Sequence, residues 1–147
     1  MNAIPSYRDP LSYQMAAVAG FVGGLGVLLG AFGAHYLGGY LEGMGLDAET
    51  VIRRSAQFDT GARYHLVHAV ALLALANSVL ISRRARRAVF YLFTIGIVLF
   101  SGSLYLLVLT NTAWLGAITP LGGLSWIVAW MTIGFSAFRG SRLRRES

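Results

Sequence analysis

Residues 88–110, AVFYLFTIGIVLFSGSLYLLVLT, contain no charged side chain and follow directly on the arginine-rich segment RRARR at 83–87. A helix needs about 20 apolar residues to cross the hydrocarbon core of a bilayer, so this stretch is long enough to span a membrane. Three further stretches with few or no charges predict helices of similar length. The four predicted spans cover residues 13–35, 61–82, 88–110 and 114–138.

The composition agrees with a membrane location. Of the 147 residues, 56% are hydrophobic and 12% are charged, whereas soluble domains carry roughly 25% charged residues. The mean hydropathy is +0.61. These values exclude a disordered chain and a soluble enzyme domain, and the absence of cysteine excludes disulfide bonds, thiolate metal sites and a cysteine nucleophile. We predict an all-α membrane protein in which residues 1–147 form a single four-helix transmembrane domain.

The basic residues predict the orientation of the chain. All twelve are arginines, and most of them flank the predicted spans. Basic residues concentrate in cytoplasmic segments, so a multi-pass protein of the bacterial inner membrane with both termini inside is predicted. The same arginines predict contact with anionic membrane lipids, and no nucleic-acid partner is expected. The two blocks on the cytoplasmic side are Arg83, Arg84, Arg86 and Arg87, and Arg139, Arg142, Arg144 and Arg145.

The loop between the first two spans is expected outside the cell. Residues 38–45 are rich in glycine and predict a turn. From Asp47 onward, Val51, Ile52 and Phe58 line one side of a helix, with Arg53 and Arg54 elsewhere, which predicts a short amphipathic helix on the outer membrane surface. Asp59 and Arg63 are four residues apart and predict an ion pair.

Polar residues within the spans collect in the outer leaflet when their depth is counted from the predicted span ends at 1.5 Å per residue. Tyr64 and His68 share one helix face. An ionisable residue is costly to expose to lipid, so this face is predicted to point into the bundle. The candidate pocket for a small ligand or lipid consists of His35, Tyr64, His68, Ser101, Ser103, Tyr105 and Thr119.

Hydrogen bonding between helices is the alternative role for these polar side chains. We favour it for Ser101, Ser103 and Thr119, whereas for His68 both roles stay open. His65, one turn below the predicted surface, is expected to reach water. A His-ligated metal or haem oxidoreductase built on His35 and His68 is the second hypothesis, with the metal unknown. His65 and Asp59 would complete a zinc site, but their spacing matches no established motif, and no cofactor is predicted.

The remaining function classes are an enzyme and a transporter. No Ser-His-Asp arrangement, phosphate-cradling loop or carboxylate pair can be assembled, so no catalytic residue is predicted and we expect a protein that is not an enzyme. An oligomeric small-solute transporter is the third hypothesis, although no carboxylate lies within a span. The expected role is binding of a small ligand or lipid, or scaffolding of a membrane complex.

Small residues predict close helix packing in the first and fourth spans. The spacing leaves the partner open between another span, a second protomer and another membrane protein. Pro120 is predicted to kink the fourth span. The packing positions are Gly20, Gly24, Gly26, Gly30, Gly122 and Gly123.

Four ordered motifs between about residues 15 and 135 resemble a known family. They are GAFGAH at 30–35, Tyr64 with His68 and the following apolar run, FSGSLY at 100–105, and TPLGG at 119–123 before Trp130. Together they resemble the membrane family catalogued as domain of unknown function 423, whose bacterial members are small inner-membrane proteins. The resemblance implies four spans and no particular activity, cofactor or site residue. His65 is not part of the motif.

Overall fold

Helices make up all the regular structure of residues 9–143, the part of the chain that the computed structural model describes. The predicted all-α fold is thus confirmed. Three segments are long and apolar enough to cross a membrane by length and composition: Pro10–His35, Arg83–Thr110 and Ala113–Arg142. In chain order the elements are α1 (Pro10–His35), α2 (Leu37–Gly43), α3 (Ala48–Ala76), α4 (Arg83–Gly96), a π-helical segment (Ile97–Gly102), α5 (Ser103–Thr110), a 3-10 helix (Ala113–Ala117) and α6 (Thr119–Leu143).

α3 is one helix of 29 residues where the sequence predicted a surface helix followed by a span. Its predicted start is confirmed, because the Asp47 side chain caps it by accepting the Thr50 backbone N–H at 2.9 Å. The prediction of a separate amphipathic helix is wrong, since the residues after Asp47 form the first turns of α3. Gly61 does not end a helix but allows close packing: a Cβ there would lie 3.2 Å from Cε1 of Tyr105.

The second predicted span is also placed too far along the chain. α3 ends at Ala76, and residues 77–82 form a loop. Ser82 then caps α4 by accepting the Ala85 backbone N–H at 3.2 Å. α4 begins at Arg83, so the arginine block lies in the first turns of this helix rather than in the loop before it.

Glycines set the contact between α1 and α3, which run antiparallel. A Cβ on Gly26 would lie 2.9 Å from Cδ2 of Leu66, and one on Gly33 would lie 3.0 Å from Cδ1 of Phe58. Gly26, one of the predicted packing positions, therefore lies at a close contact between the two helices. At three other predicted positions an added Cβ would meet no atom of the described chain within 4 Å, so packing there against another molecule stays a prediction: Gly20, Gly24 and Gly30.

α2 occupies the region that was predicted as a turn. Leu37 and Leu41 are one helical turn apart, and both are almost fully buried in a cluster that includes Phe58. Burial of these two leucines gives the short segment a reason to be helical. Gly45 ends the turn that follows α2. Its φ of +75° is in the left-handed region, which suits glycine.

α6 packs against α4 and the π-helical segment. At Gly122 an added Cβ would lie 2.8 Å from Cβ of Phe100 and 2.9 Å from the carbonyl oxygen of Gly96. A Cβ added at Gly123 would lie 3.8 Å from the Phe100 ring, so both glycines face Phe100. The predicted kink is wrong, because Pro120 is the second residue of α6 and needs no hydrogen-bond partner there.

Asp9 joins the start of α1 to the start of α4. Its carboxylate bonds to Arg83 at 3.1 Å and to Arg86 at 2.6 Å. Desolvation raises the pKa of Asp9, but the Leu11 backbone N–H and the two guanidinium charges outweigh that effect and lower it overall. The carboxyl group is therefore ionised at neutral pH, as these ion pairs require.

The described residues of both arginine blocks lie at the same end of the bundle. At Gly140, near the end of α6, an added Cβ would lie 3.7 Å from the carbonyl oxygen of Leu80 in the loop before α4. Arg144 and Arg145 lie outside the described residues. We call this the arginine end, and it contains Arg83, Arg84, Arg86, Arg87, Arg139 and Arg142; the opposite, loop end contains α2 and Asp47.

A Gly122→Ala substitution is expected to destabilise the protein by about 1–3 kcal/mol, because the added methyl group overpacks the contact with Phe100. Gly24→Ala is the matched control, since its methyl group would meet no atom of the described residues within 4 Å. Thermal unfolding in detergent, followed by circular dichroism, measures both. Equal melting temperatures of the two variants would contradict the packing.

Candidate functional site

A buried histidine connects three helices near the middle of the bundle. Nε2 of His65 donates to the carbonyl oxygen of Val22 at 2.9 Å, which leaves Nδ1 to accept the hydroxyl of Tyr105 at 3.2 Å. His65 is 3% exposed and Tyr105 is 8% exposed. α1, α3 and α5 are thus joined through one imidazole ring with both nitrogens bonded.

The expectation that His65 reaches water is wrong. Its depth was counted from a span beginning at residue 61, but α3 begins at Ala48, more than three turns earlier. Its partner Val22 lies near the middle of α1, which covers Pro10–His35. His65 is therefore a central residue, which the sequence analysis had set aside.

His68 lies in an aromatic cluster between α3 and α6. Its Nδ1 donates to the carbonyl oxygen of Tyr64 at 2.8 Å, and its Nε2 accepts a long 3.4 Å hydrogen bond from Nε1 of Trp130. The ring stacks on Trp126 with 3.7 Å between centroids and 5° between planes. Trp126 in turn donates to the carbonyl oxygen of Phe93 at 3.2 Å. His68 thus acts in packing and hydrogen bonding between helices.

The other residues of the predicted pocket separate into different places. Tyr64 is 48% exposed and stacks on Trp126 at the edge of the aromatic cluster. Ser103 bonds to Thr119 at 2.9 Å, and this hydrogen bond between helices agrees with the role predicted for each of them. Ser101 is fully buried, but its hydroxyl has no hydrogen-bond partner within the described chain, so the interhelical bond predicted for it is absent there.

His35 does not join these residues. It is exposed at the end of α1, and the 13 positions that separate it from Val22 correspond to about 20 Å along a helix. The antiparallel register, in which Gly33 faces Phe58 and Gly26 faces His65, also places His35 toward the loop end. The structure therefore brings Tyr105 close to His65, but not His35 close to either buried histidine.

The side chains that were considered as metal ligands do not come together in the structure. Residues 9–143 contain no group of three or more His, Cys, Asp or Glu side chains suited to holding a metal ion. Both ring nitrogens of His65 and of His68 are already bonded. Asp59, the fourth candidate ligand, forms the predicted ion pair with Arg63, whose Nε lies 2.8 Å from Oδ2.

An apolar groove of about 510 Å³ opens to the side of the bundle. We call it the lateral groove. Its polar lining residues are His65, Ser103 and Tyr105, whose side chains bond to one another or to other groups of the chain. Its walls are made by residues of α1, the π-helical segment, α5 and the connection to α6, including Leu25, Leu29, Val98, Leu106, Leu115 and Ile118.

Arg54 is a buried charged residue that the sequence analysis placed away from the apolar face. Its Nε and Nη2 donate to Oδ1 of Asn111 at 2.9 and 2.7 Å, and its Nη1 donates to Gln57 at 3.0 Å. Asn111 ends α5 in the left-handed conformation, with φ at 50°. The available signal was spacing, because Arg54 lies at helical spacing from Val51 and Phe58.

Comparison with known proteins identifies relatives but no activity. Residues 29–123 match the family described as "Protein of unknown function (DUF423)". The UPF0382 membrane protein YwdK of Bacillus subtilis is 40% identical over 117 residues, covering 78% of this chain and 88% of the relative. A UPF0382 membrane protein of Haemophilus influenzae is 35% identical over 129 residues, covering 88% and 94%.

A third relative carries a more specific location in its name. The UPF0382 inner membrane protein YgdD of Escherichia coli K12 is 32% identical over 132 residues, covering 86% of this chain and 88% of the relative. No solved structure matches the chain.

Tyr105→Phe is expected to destabilise the protein by roughly 0.6–1.7 kcal/mol, the range of interhelical hydrogen bonds in membranes, because His65 loses its donor. Tyr91→Phe is the control, since Tyr91 is 58% exposed. Thermal unfolding in detergent gives both values. The loss should disappear in a His65→Ala background, and a loss that persists there would contradict the hydrogen bond.

Proposed function

The chain belongs to the DUF423 family of membrane proteins of unknown function, and from this premise we propose that it binds the apolar chain of a lipid, or a similar molecule, in the lateral groove. We place it in the bacterial inner membrane as a multi-pass protein. The name of the Escherichia coli relative supports this location.

The chain crosses the membrane four times with both termini in the cytoplasm. Three crossings are the long apolar segments, and α3 is the fourth. α3 is long enough, at 29 residues, and the glycines of α1 pack along it. The arginines gathered at one end support a cytoplasmic position for that end.

The lateral groove is the observation that carries the proposal. Small-molecule sites measure roughly 300–1,000 Å³, and the groove has about 510 Å³. A helix of a partner protein would be about 10–12 Å across, so the groove would hold only roughly one of its turns. A thin, flexible acyl chain fits along the groove. The groove also exposes almost only apolar side chains, since His65, Tyr105 and Ser103 are bonded within the protein. An apolar chain is therefore the occupant best matched to it.

Scaffolding of a membrane complex is the second candidate. It is favoured by the interhelical pairing of His65 with Tyr105 and of Ser103 with Thr119, because a pocket for a polar ligand would leave such groups free. The two candidates differ in the surface that they use. A scaffold would bind partner proteins through outward-facing side chains such as Phe21, which is 83% exposed.

Leu106→Trp is expected to reduce labelling of the lateral groove severalfold, because the larger side chain fills it. The protein is placed in nanodiscs with a zwitterionic phospholipid that carries a diazirine on its acyl chain, and cross-linked peptides are quantified by mass spectrometry. In the wild type, cross-links should concentrate on residues 25–29 and 97–106.

Val67→Trp provides the matched control, since Val67 has a similar exposure, 57% against 55% for Leu106, and does not line the groove. It should leave the labelling unchanged. Equal labelling of the groove and of the exposed face around Phe21 would contradict lipid binding in the groove.

A further inference from the structure

One exposed face of α4 carries two arginines and a tyrosine at the boundary with the apolar part of the helix. Arg84, Arg87, Ala88 and Tyr91 follow the spacing i, i+3, i+4 and i+7, so they lie on the same side. Together with Arg83 they line a cleft of about 530 Å³. We call it the arginine cleft.

Residues 9–143 only partly balance the positive charge of the arginine cleft. Asp9 bonds to Arg83 and Arg86. Within residues 9–143, Arg84 and Arg87 make no side-chain hydrogen bond or ion pair, and the first turn of α4 contains no acidic residue. The amino end of a helix is itself positive, so these arginines repel both one another and the helix dipole. A bound anion would relieve this repulsion.

The groups around the arginine cleft match a phosphate that is attached to apolar chains. Guanidinium groups bind phosphate through paired, charge-assisted hydrogen bonds. Tyr91 is 58% exposed, and tyrosine is typical of the membrane–water boundary. From Ala88 onward the helix is uncharged as far as Thr110, so acyl chains extending from the phosphate would meet apolar side chains.

We propose that the arginine cleft binds the phosphate group of an anionic phospholipid from the leaflet at the arginine end. Arg84 and Arg87 contact the phosphate, and Tyr91 packs beside the glycerol and the upper acyl chains. Arg83, held by Asp9, borders the site. This site is separate from the lateral groove, whose lining residues belong to other parts of the chain.

The test uses the double variant Arg84→Gln/Arg87→Gln in full-length protein purified in detergent. Native mass spectrometry measures the affinity for phosphatidylglycerol and for phosphatidylcholine. Each basic residue near a membrane surface contributes about 1 kcal/mol to binding of anionic lipid, so the double variant should bind phosphatidylglycerol about 30-fold more weakly. Binding of phosphatidylcholine should not change.

Two further variants distinguish binding in the arginine cleft from a general effect of positive charge on lipid binding. Arg84→Lys/Arg87→Lys keeps the charge but loses the paired geometry, and an intermediate loss supports the proposal. Arg53→Gln/Arg139→Gln removes two exposed arginines outside the arginine cleft, and its affinity should change less than threefold. An equal loss in this control would overturn the proposal. So would unchanged binding in the Gln double variant, provided that the melting temperature shows that the variant is folded.

Inorganic phosphate distinguishes a lipid site from a site for a free anion. At millimolar concentration it should leave phosphatidylglycerol largely bound, because it lacks the acyl chains. If inorganic phosphate displaces the lipid completely at that concentration, the assignment to phospholipid is overturned in favour of a soluble phosphate.

Discussion

The position of His65 determines how the rest of the bundle is arranged. Hydrocarbon offers no water to a polar group, so an imidazole inside a membrane bundle must find both its donor and its acceptor within the protein. Val22 and Tyr105 supply them from two different helices. This requirement fixes the depth of α3 against α1 and α5, and the same register brings Gly26 and Gly33 opposite the large side chains of α3.

Much of the fold could be predicted because it depends on local chemistry. Length and hydropathy predicted the membrane class, and the apolar spacing from Asp47 onward predicted the start of α3. The continuity of α3 could not be predicted, because Gly61 is a helix-weakening residue whose packing value depends on Tyr105 and Leu104, which are distant in sequence. That one error placed His65 near the surface. The burial of Arg54 was missed because its partner Asn111 lies on another helix.

The candidate site was predicted only in part for a related reason. Residue type shows that a side chain needs a hydrogen bond, but not where the partner lies. An interhelical role was predicted for Ser103 and Thr119, which bond to each other, whereas Tyr105 bonds to His65, for which contact with water had been predicted. His65, Ser103 and Tyr105 thus hold helices together, and the surfaces that we propose for other molecules are the lateral groove and the arginine cleft.

The π-helical segment Ile97–Gly102 sets the direction in which the residues after it face. Such a segment contains one more residue in its turn than an α-helix would. If the same residues were wound as a regular α-helix, everything beyond the segment would rotate by about 100°, the angle of one residue. Tyr105 would then face away from His65. The wide turn absorbs the extra residue, so deleting one residue from it and restoring α-helical winding would leave α5 facing as it does now, whereas a deletion within α4 would turn Tyr105 away from His65. This segment is therefore a place where the chain can lose a residue without losing the register of the helix that follows.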